Sequence, residues 1–295
     1  MERKKYLKRY RELHREEIRE YQKAYRRGNP KTKWQMTKWR KEHPEYFKKW
    51  KEKHPLYFHE WLQSHPEYFT EYMRKYRHPH DFSMVEEAIQ IQKELSKWTI
   101  LKDGFSKINY IAGADASIDK EERIISAGVC LFTYPNLELV EEVSAKKPLS
   151  FPYIPGLLSF REGPVLFDAI SKLKTIPDVI LFDGQGIAHP RGIGIATHLG
   201  ILLNKPTIGC AKSNLCGTFK QPKQKRDSSS PLYLNGKIVG AVLRTKNYTQ
   251  PIFVSPGHLI SLKTAIYVVL ACGKGYRIPE PLRHAHTLSK HVLTS

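Results

Sequence analysis

Cysteine is scarce in this chain of 295 residues: there are four, Cys130, Cys210, Cys216 and Cys272, with no CxxC pair. That spacing argues against a thiolate zinc site and a disulfide framework and leaves the thiols as small core residues. Long apolar runs are missing too. Nothing approaches eighteen consecutive apolar residues, and the N-terminus is densely charged instead of carrying an apolar signal core. Neither a membrane span nor secretion is expected, and a cytoplasmic location is. Acids are the third shortage. The chain has 29 Asp and Glu against 49 Lys and Arg, a net charge of +20, which favours a polyanionic partner, nucleic acid ahead of an anionic membrane surface. What is present in quantity is hydrophobic mass, 40% of the residues, enough for one or two cores and too much for a disordered chain.

The shortage of acid is uneven. Residues 1–80 hold 23 Lys and Arg against 11 acids, and residues 81–295 hold 26 against 18, so the first segment is more than twice as basic per residue. It also lacks valine, so no ordinary aliphatic core can organise it. Instead it carries a repeat of eleven residues, HPEYF from His43, HPLYF from His54 and HPEYF from His65, with Trp39, Trp50 and Trp61 in step and Tyr72 continuing the series. Each unit reads HPxYFxxWxxx, and its Pro suits the first turn of a short helix. Short helices broken at each His-Pro are expected over residues 1–80, because Pro inside a helix removes a hydrogen bond. Cations neutralise phosphates and aromatic faces accept bases without regard to sequence. Trp39, Trp50 and Trp61 are therefore candidates for nucleic-acid contact, the alternative being that the aromatics pack together under a solvated basic face. Residues 81–98 are expected as a linker or connecting helix, with Val85, Ala88, Ile89, Gln92 and Leu95 at helical spacing.

From Tyr110 the texture changes to strands and turns. The segments YIAGAD, IISAGVCLFTYP and LELVEEVSAKKP read as three consecutive strands. A helix from Glu162 to Lys174 follows, then a buried strand over Val179–Phe182, a helix from Gly192 to Leu203 and a strand at PTIGCAK. A polar loop over 221–230, strands near 237–244 and 252–255, and a last helix from Ser261 to Ala271 complete the domain. This order predicts an α/β fold: a mixed sheet flanked by helices, of ribonuclease H-like type, over 99–295, preceded by a mostly helical basic N-terminal extension.

Three carboxylates stand out at expected element ends: Asp115, Glu162 and Asp183. They lie 47 and 21 residues apart, so only the tertiary fold can collect them. An acid cluster needs hard cations to offset its repulsion, and oxygen ligands suit Mg²⁺ or Mn²⁺. Such an ion polarises phosphate and generates hydroxide for in-line attack. Taken singly, each acid fits a surface group or a helix cap better, and spacing alone does not decide for a metal site. In Pro152-Tyr153-Ile154-Pro155 two prolines fix φ on either side of a large aromatic and an aliphatic. That makes either a stiff wedge able to hold a lesion site open or a rigid surface turn.

Motifs in order, IAGADAS, FPYIPGLLSFRE, LFDGQGIAHPRGIGIATHLG, PTIGCAKSNLCG, SPGHLIS and GYRIPEPLRHAH, resemble the endonuclease V (deoxyinosine 3′ endonuclease) family across nearly all of residues 99–295. The resemblance implies Mg²⁺-dependent nicking of DNA at the second phosphodiester 3′ of deoxyinosine, the product of adenine deamination, with Mn²⁺ able to substitute. Carried over by position, Asp115, Glu162 and Asp183 match the metal-binding acids, Lys212 a lysine near the scissile phosphate and His258 a histidine beside the metals. Pro152, Tyr153, Ile154 and Pro155 match the strand-separating wedge, and Gly156, Leu158, Gly184 and Gly186 the pocket for the flipped base. The expected enzyme is a monomer acting on inosine-containing DNA, away from membranes. The basic extension departs from the family pattern. Two rivals stay open, an endoribonuclease cutting after inosine in RNA and a non-catalytic nucleic-acid binder. The wording GQGIAHPR looks closer to the DNA-acting branch.

Overall fold

The computed structural model describes residues 82–295; the extension and its repeats, with Trp39, Trp50 and Trp61, lie outside the described residues. The elements are α1 (Phe82–Leu95), a short 3₁₀ turn (Ser96–Trp98), β1 (Tyr110–Asp119), β2 (Ile124–Thr133), β3 (Leu139–Pro148), α2 (Leu158–Ile170), β4 (Val179–Phe182), α3 (Ile195–Leu203), β5 (Thr207–Ala211), β6 (Ser229–Leu234), β7 (Lys237–Leu243), β8 (Ile252–His258), α4 (Leu262–Ala271) and α5 (Glu280–Thr294). One eight-stranded sheet has the order β3-β2-β1-β4-β5-β8-β7-β6. Its middle is parallel, β1 to β4 to β5, and both flanks are antiparallel. The mixed α/β sheet flanked by helices is thus the expected architecture.

Alternation along the strands sorts the two faces. Ala112, Ala114, Ile180 and Phe182 face α2 and α3 through Val165, Leu166, Ile195 and Leu199. Ile111, Val179, Leu181 and Ile208 face α4 and α5 through Val268, Val269, Leu282 and Ala285. Period-two geometry puts Gly113 and Asp115 on the α5 side with Ile111. Glycine is required at 113: a Cβ there would stand 2.2 Å from the Pro281 carbonyl, and one at Gly128 on the neighbouring strand 2.4 Å from the Ala285 carbonyl. The helix lies almost on the backbone of β1 and β2.

Four elements depart from the sequence reading. Helix α2 begins at Leu158, four residues before the expected start. Its Pro164, a residue suited to a first turn, lies inside the helix. Strand β6 occupies the end of the expected polar loop, pairing with β7 as a hairpin across Asn235-Gly236. Helix α5 has no counterpart among the expected elements, although Pro279 and Pro281 mark its start and Leu282, Ala285 and Ser289 are buried at helical spacing. Helix α1, expected as a linker or connector, is seated on the domain: Met84 and Ala88 are buried with Phe151, Leu157 and Phe160. Among the described residues no helix is long and apolar enough to cross a membrane.

Candidate active site

The register of β1 against β4 assembles the acids. Ala114 pairs with Phe182 as the last parallel step, so Asp115 and Asp183 follow it side by side, where the parallel pairing ends. The Asp183 N–H donates to the Ala114 carbonyl (3.3 Å). The carboxyl ends of parallel strands are where open α/β sheets bind ligands. Glu162 arrives from the second turn of α2, within a helix and not at its end; Asp115 likewise lies inside β1, so of the three acids only Asp183 stands just beyond an element.

The acids feel one another. Burial, then the Asp183 charge, pushes the Asp115 carboxyl up to about 6. Burial, then the charges of Asp115 and Asp183, pushes Glu162 up to about 8. Cations offset part of this. The Lys212 ammonium, just past β5, is ion-paired with Asp183 Oδ2. Burial alone would lower Lys212, but the Asp183 carboxylate outweighs it and raises its pKa. On the other side, His286 of α5 holds Asp115 Oδ2 through Nδ1 at 2.7 Å, while Asp115 Oδ1 accepts the Ala116 N–H at 2.9 Å.

His286 thus occupies the neighbourhood in which His258 was expected. His258 itself is 4% exposed at the end of β8. Its ring Nδ1 accepts from the Ile100 N–H (3.3 Å), its backbone N–H donates to Thr207 Oγ1 (3.0 Å), and burial lowers the imidazole to about 4. It does not line the cleft described next. The sequence signal for His286 was the PEPLRHAH segment, legible only once that segment is recognised as a helix crossing β1.

Asp115, Glu162, Asp183, Lys212 and His286 line a cleft of about 430 Å³, within the size of small-ligand sites. Tyr153, Ile154 and Pro155 form one wall, with Gly156, Leu158 and Gly184 beyond them. Tyr153 is 70% exposed, and the Arg161 guanidinium lies 5.8 Å from its ring centre. Pro152 and Gly186 are not among the lining residues: the Gly186 N–H donates to Ser255 Oγ (2.7 Å) and a Cβ there would meet the Pro256 carbonyl at 2.2 Å, so this glycine serves the packing of β8. Asp183, Lys212 and His286 also face a second cavity of about 190 Å³, bordered by Arg283 and Thr287. The two cavities therefore share Asp183, Lys212 and His286 as borders.

Among the described residues no three His, Cys, Asp or Glu side chains stand as a ready ligand set for a metal ion. Asp183 is engaged by Lys212 and Asp115 by His286. The chemistry of the donors nevertheless fits a hard divalent cation: three carboxylates, two held above their ordinary pKa by burial and mutual repulsion, with oxygen the only donor element.

The family model for endonuclease V matches residues 93–287. Endonuclease V of Dictyoglomus turgidum is 50% identical over 210 residues, covering 71% of this chain and 91% of that protein. The crystal structure of endonuclease V from Streptomyces avermitilis superposes with a TM-score of 0.68 at 38% identity, covering 71% of this chain and 92% of that one. That of Ciona intestinalis endonuclease V, in complex with a 24mer DNA containing an inosine followed by a ribo-adenosine, gives 0.64 at 28% identity over 72% and 98% of the two chains. With acids from β1, α2 and the end of β4 lining one cleft and the match running from α1 to α5, the chain belongs to the endonuclease V family.

Proposed function

We propose that the protein is a metal-dependent endonuclease that nicks DNA at the second phosphodiester 3′ of deoxyinosine. The observation that carries the reading is the union, in one cleft, of a mutually repelling acid cluster with an exposed aromatic wedge. Tyr153 would enter the duplex beside the lesion. The base would turn into the space by Gly156, Leu158 and Gly184, where unstacking costs a few kcal/mol and least at a mispaired base. Asp115, Glu162 and Asp183 would hold Mg²⁺, with Mn²⁺ as a substitute. When bound, the ion supplies Lewis acidity toward phosphate and lowers the pKa of water. The chain's own groups do the rest. Lys212 offers positive charge to the phosphate. His286, whose Nδ1 is tied to Asp115, keeps Nε2 for proton exchange at the departing oxygen. The second cavity, by Arg283 and Thr287, would take the strand beyond the cut. Residues 1–80, with Trp39, Trp50 and Trp61, would add sequence-independent affinity through their basic and aromatic side chains.

The Ciona relative is bound to a DNA in which a ribo-adenosine follows the inosine, which favours RNA cleavage after inosine as the second reading. Matched inosine substrates in DNA and RNA decide between them, since a 2′-hydroxyl either fits the cleft or does not. The test of the main reading is a nicking assay on a duplex with one inosine. Wild-type protein with Mg²⁺ cuts one strand, and Asp183→Ala cuts about a thousandfold more slowly, the equivalent of about 4 kcal/mol of lost charge stabilisation, while binding the duplex. Equal rates for the two proteins would defeat the assignment.

A further inference from the structure

We infer that Gln92, His189 and Arg191 are positioning residues that clamp the base of the Tyr153 loop, so that the enzyme can open a duplex. The inference rests on the nuclease reading above and adds to it the device that makes the wedge stiff. The wedge leads into a turn. The Leu157 N–H donates to the Ile154 carbonyl (2.9 Å) with Pro155 and Gly156 between them, and Gly156 has φ +81°, the arrangement of a type II turn with Pro and Gly at its centre. The turn presents the Gly156 carbonyl to three donors from elsewhere in the chain: Gln92 Nε2 of α1 at 2.9 Å, Arg191 Nη2 at 2.7 Å and His189 Nε2 at 3.0 Å.

The donors are themselves locked. Gln92 is 1% exposed; its Oε1 accepts from Arg191 Nε (2.5 Å) and its Nε2 also reaches the Ile193 carbonyl (3.4 Å), so neither end of the amide is interchangeable. His189 Nδ1 accepts the Arg191 N–H (3.2 Å), which makes Nε2 the protonated nitrogen that donates to Gly156. Burial, then the Arg191 charge, lowers this imidazole to about 4, which keeps it neutral. Gly156 is favoured by its backbone: at φ +81° any side chain is strained, and a Cβ would also crowd Arg191 Nη2 at 2.7 Å. Below the turn Ile154 packs into the cluster of Met84, Ala88, Phe151, Leu157 and Phe160. The base of the loop is therefore fixed while Tyr153 stays exposed. His189 and Arg191 follow Asp183 by six and eight residues on the same connection, so the clamp ties the wedge to the segment that carries the central acid.

A single strand needs no opening, which separates positioning of the wedge from a general structural role. The experiment compares initial nicking rates of the full chain on an inosine duplex and on the same inosine strand alone, for wild type, the near-isosteric Gln92→Met and Arg191→Lys, which keeps the charge but loses the planar fork. Each variant is expected to lose at least tenfold on the duplex while staying within twofold on the single strand. 2-Aminopurine opposite the inosine should brighten less on binding than with wild type. Gln92→Glu, which retains the acceptor for Arg191 and loses the donors to Gly156 and Ile193, should behave like Gln92→Met. An unchanged duplex-to-single-strand ratio, or an equal fall on both substrates, in these variants overturns the clamp while leaving the nuclease reading in place. Wild-type protein inactive on both substrates defeats the nuclease reading and the clamp together.

Discussion

Replacing Glu162 with Gln should stabilise the metal-free protein while silencing it. Glu162 is raised from an ordinary value of 4.5 to about 8, by burial first and then by the charges of Asp115 and Asp183. At about 1.4 kcal/mol for each tenfold in proton affinity, that difference bounds the cost of ionising the folded carboxyl at about 5 kcal/mol. Glu162 retains some exposure to water, so about half of that bound, roughly 2 to 3 kcal/mol, is the working figure. The sign follows from linkage. Below pH 4.5 both states carry the proton and nothing is lost. Between 4.5 and about 8 the unfolded chain ionises while the fold keeps its proton, so stability falls as pH rises; above about 8 the loss is complete. Gln has no such loss. In EDTA the melting temperature of Glu162→Gln should equal that of wild type at about pH 4 and exceed it by about 5 to 10 °C at about pH 9, at roughly 2 to 4 °C per kcal/mol for a domain of this size. Adding Mg²⁺ should close the gap from the wild-type side, because an ion offsets the repulsion. Parallel melting curves for the two proteins from pH 5 to 9 would refute the reasoning, since they would mean that the acids do not burden the fold.

The two histidines should separate cleanly: His286→Ala is expected to slow nicking by about a hundredfold, the size of a missing general acid or base, with little change in melting temperature. His258→Ala should instead cost about 1 to 3 kcal/mol of stability and leave the rate of the folded enzyme nearly unchanged. Steady-state nicking with parallel thermal melts reads both, and a rate loss confined to His258→Ala would reverse the assignment. Removing residues 1–80 should flatten the dependence of duplex affinity on salt, by about 0.9 in the log–log slope for each phosphate that is no longer neutralised, without altering preference for inosine; identical slopes would remove the extension from DNA binding. Half-activating Mg²⁺ should fall as pH rises from 6 to 8.5, because an ion must displace protons held by Asp115, up to about 6, and Glu162, up to about 8. A titration of activity against Mg²⁺ at several pH values checks it.

The centre of the sheet was legible because its signals are local. The four apolar residues Val179–Phe182 ending in Asp183, and the three β-rich segments before them, announce strands without knowledge of the rest. The flanks were less legible. The helix expected from Glu162 starts four residues earlier as α2, just after the Pro155-Gly156 turn. Helix α5 begins at a pair of prolines that reads as loop, and what makes it a helix is the groove over Gly113 and Gly128 that receives it. Missing that helix meant missing His286, 171 residues from the Asp115 it holds. His258 drew attention by following Pro-Gly, while its neighbours Thr207 and Ile100 lie far away in sequence and close in space. Gln92 looked like one polar position on a connecting helix, and its burial depends on Arg191 and Gly156, 99 and 64 residues distant.

The packing of α5 over β1 and β2 sets an order of events during synthesis. A ribosome that has not yet reached residue 280 has already made all three carboxylates, Lys212 and the wedge. It has made neither the imidazole that steadies Asp115 nor the helix that roofs the two glycines. Until α5 docks, Gly113 and Gly128 are therefore uncovered and Asp115 lacks its imidazole partner.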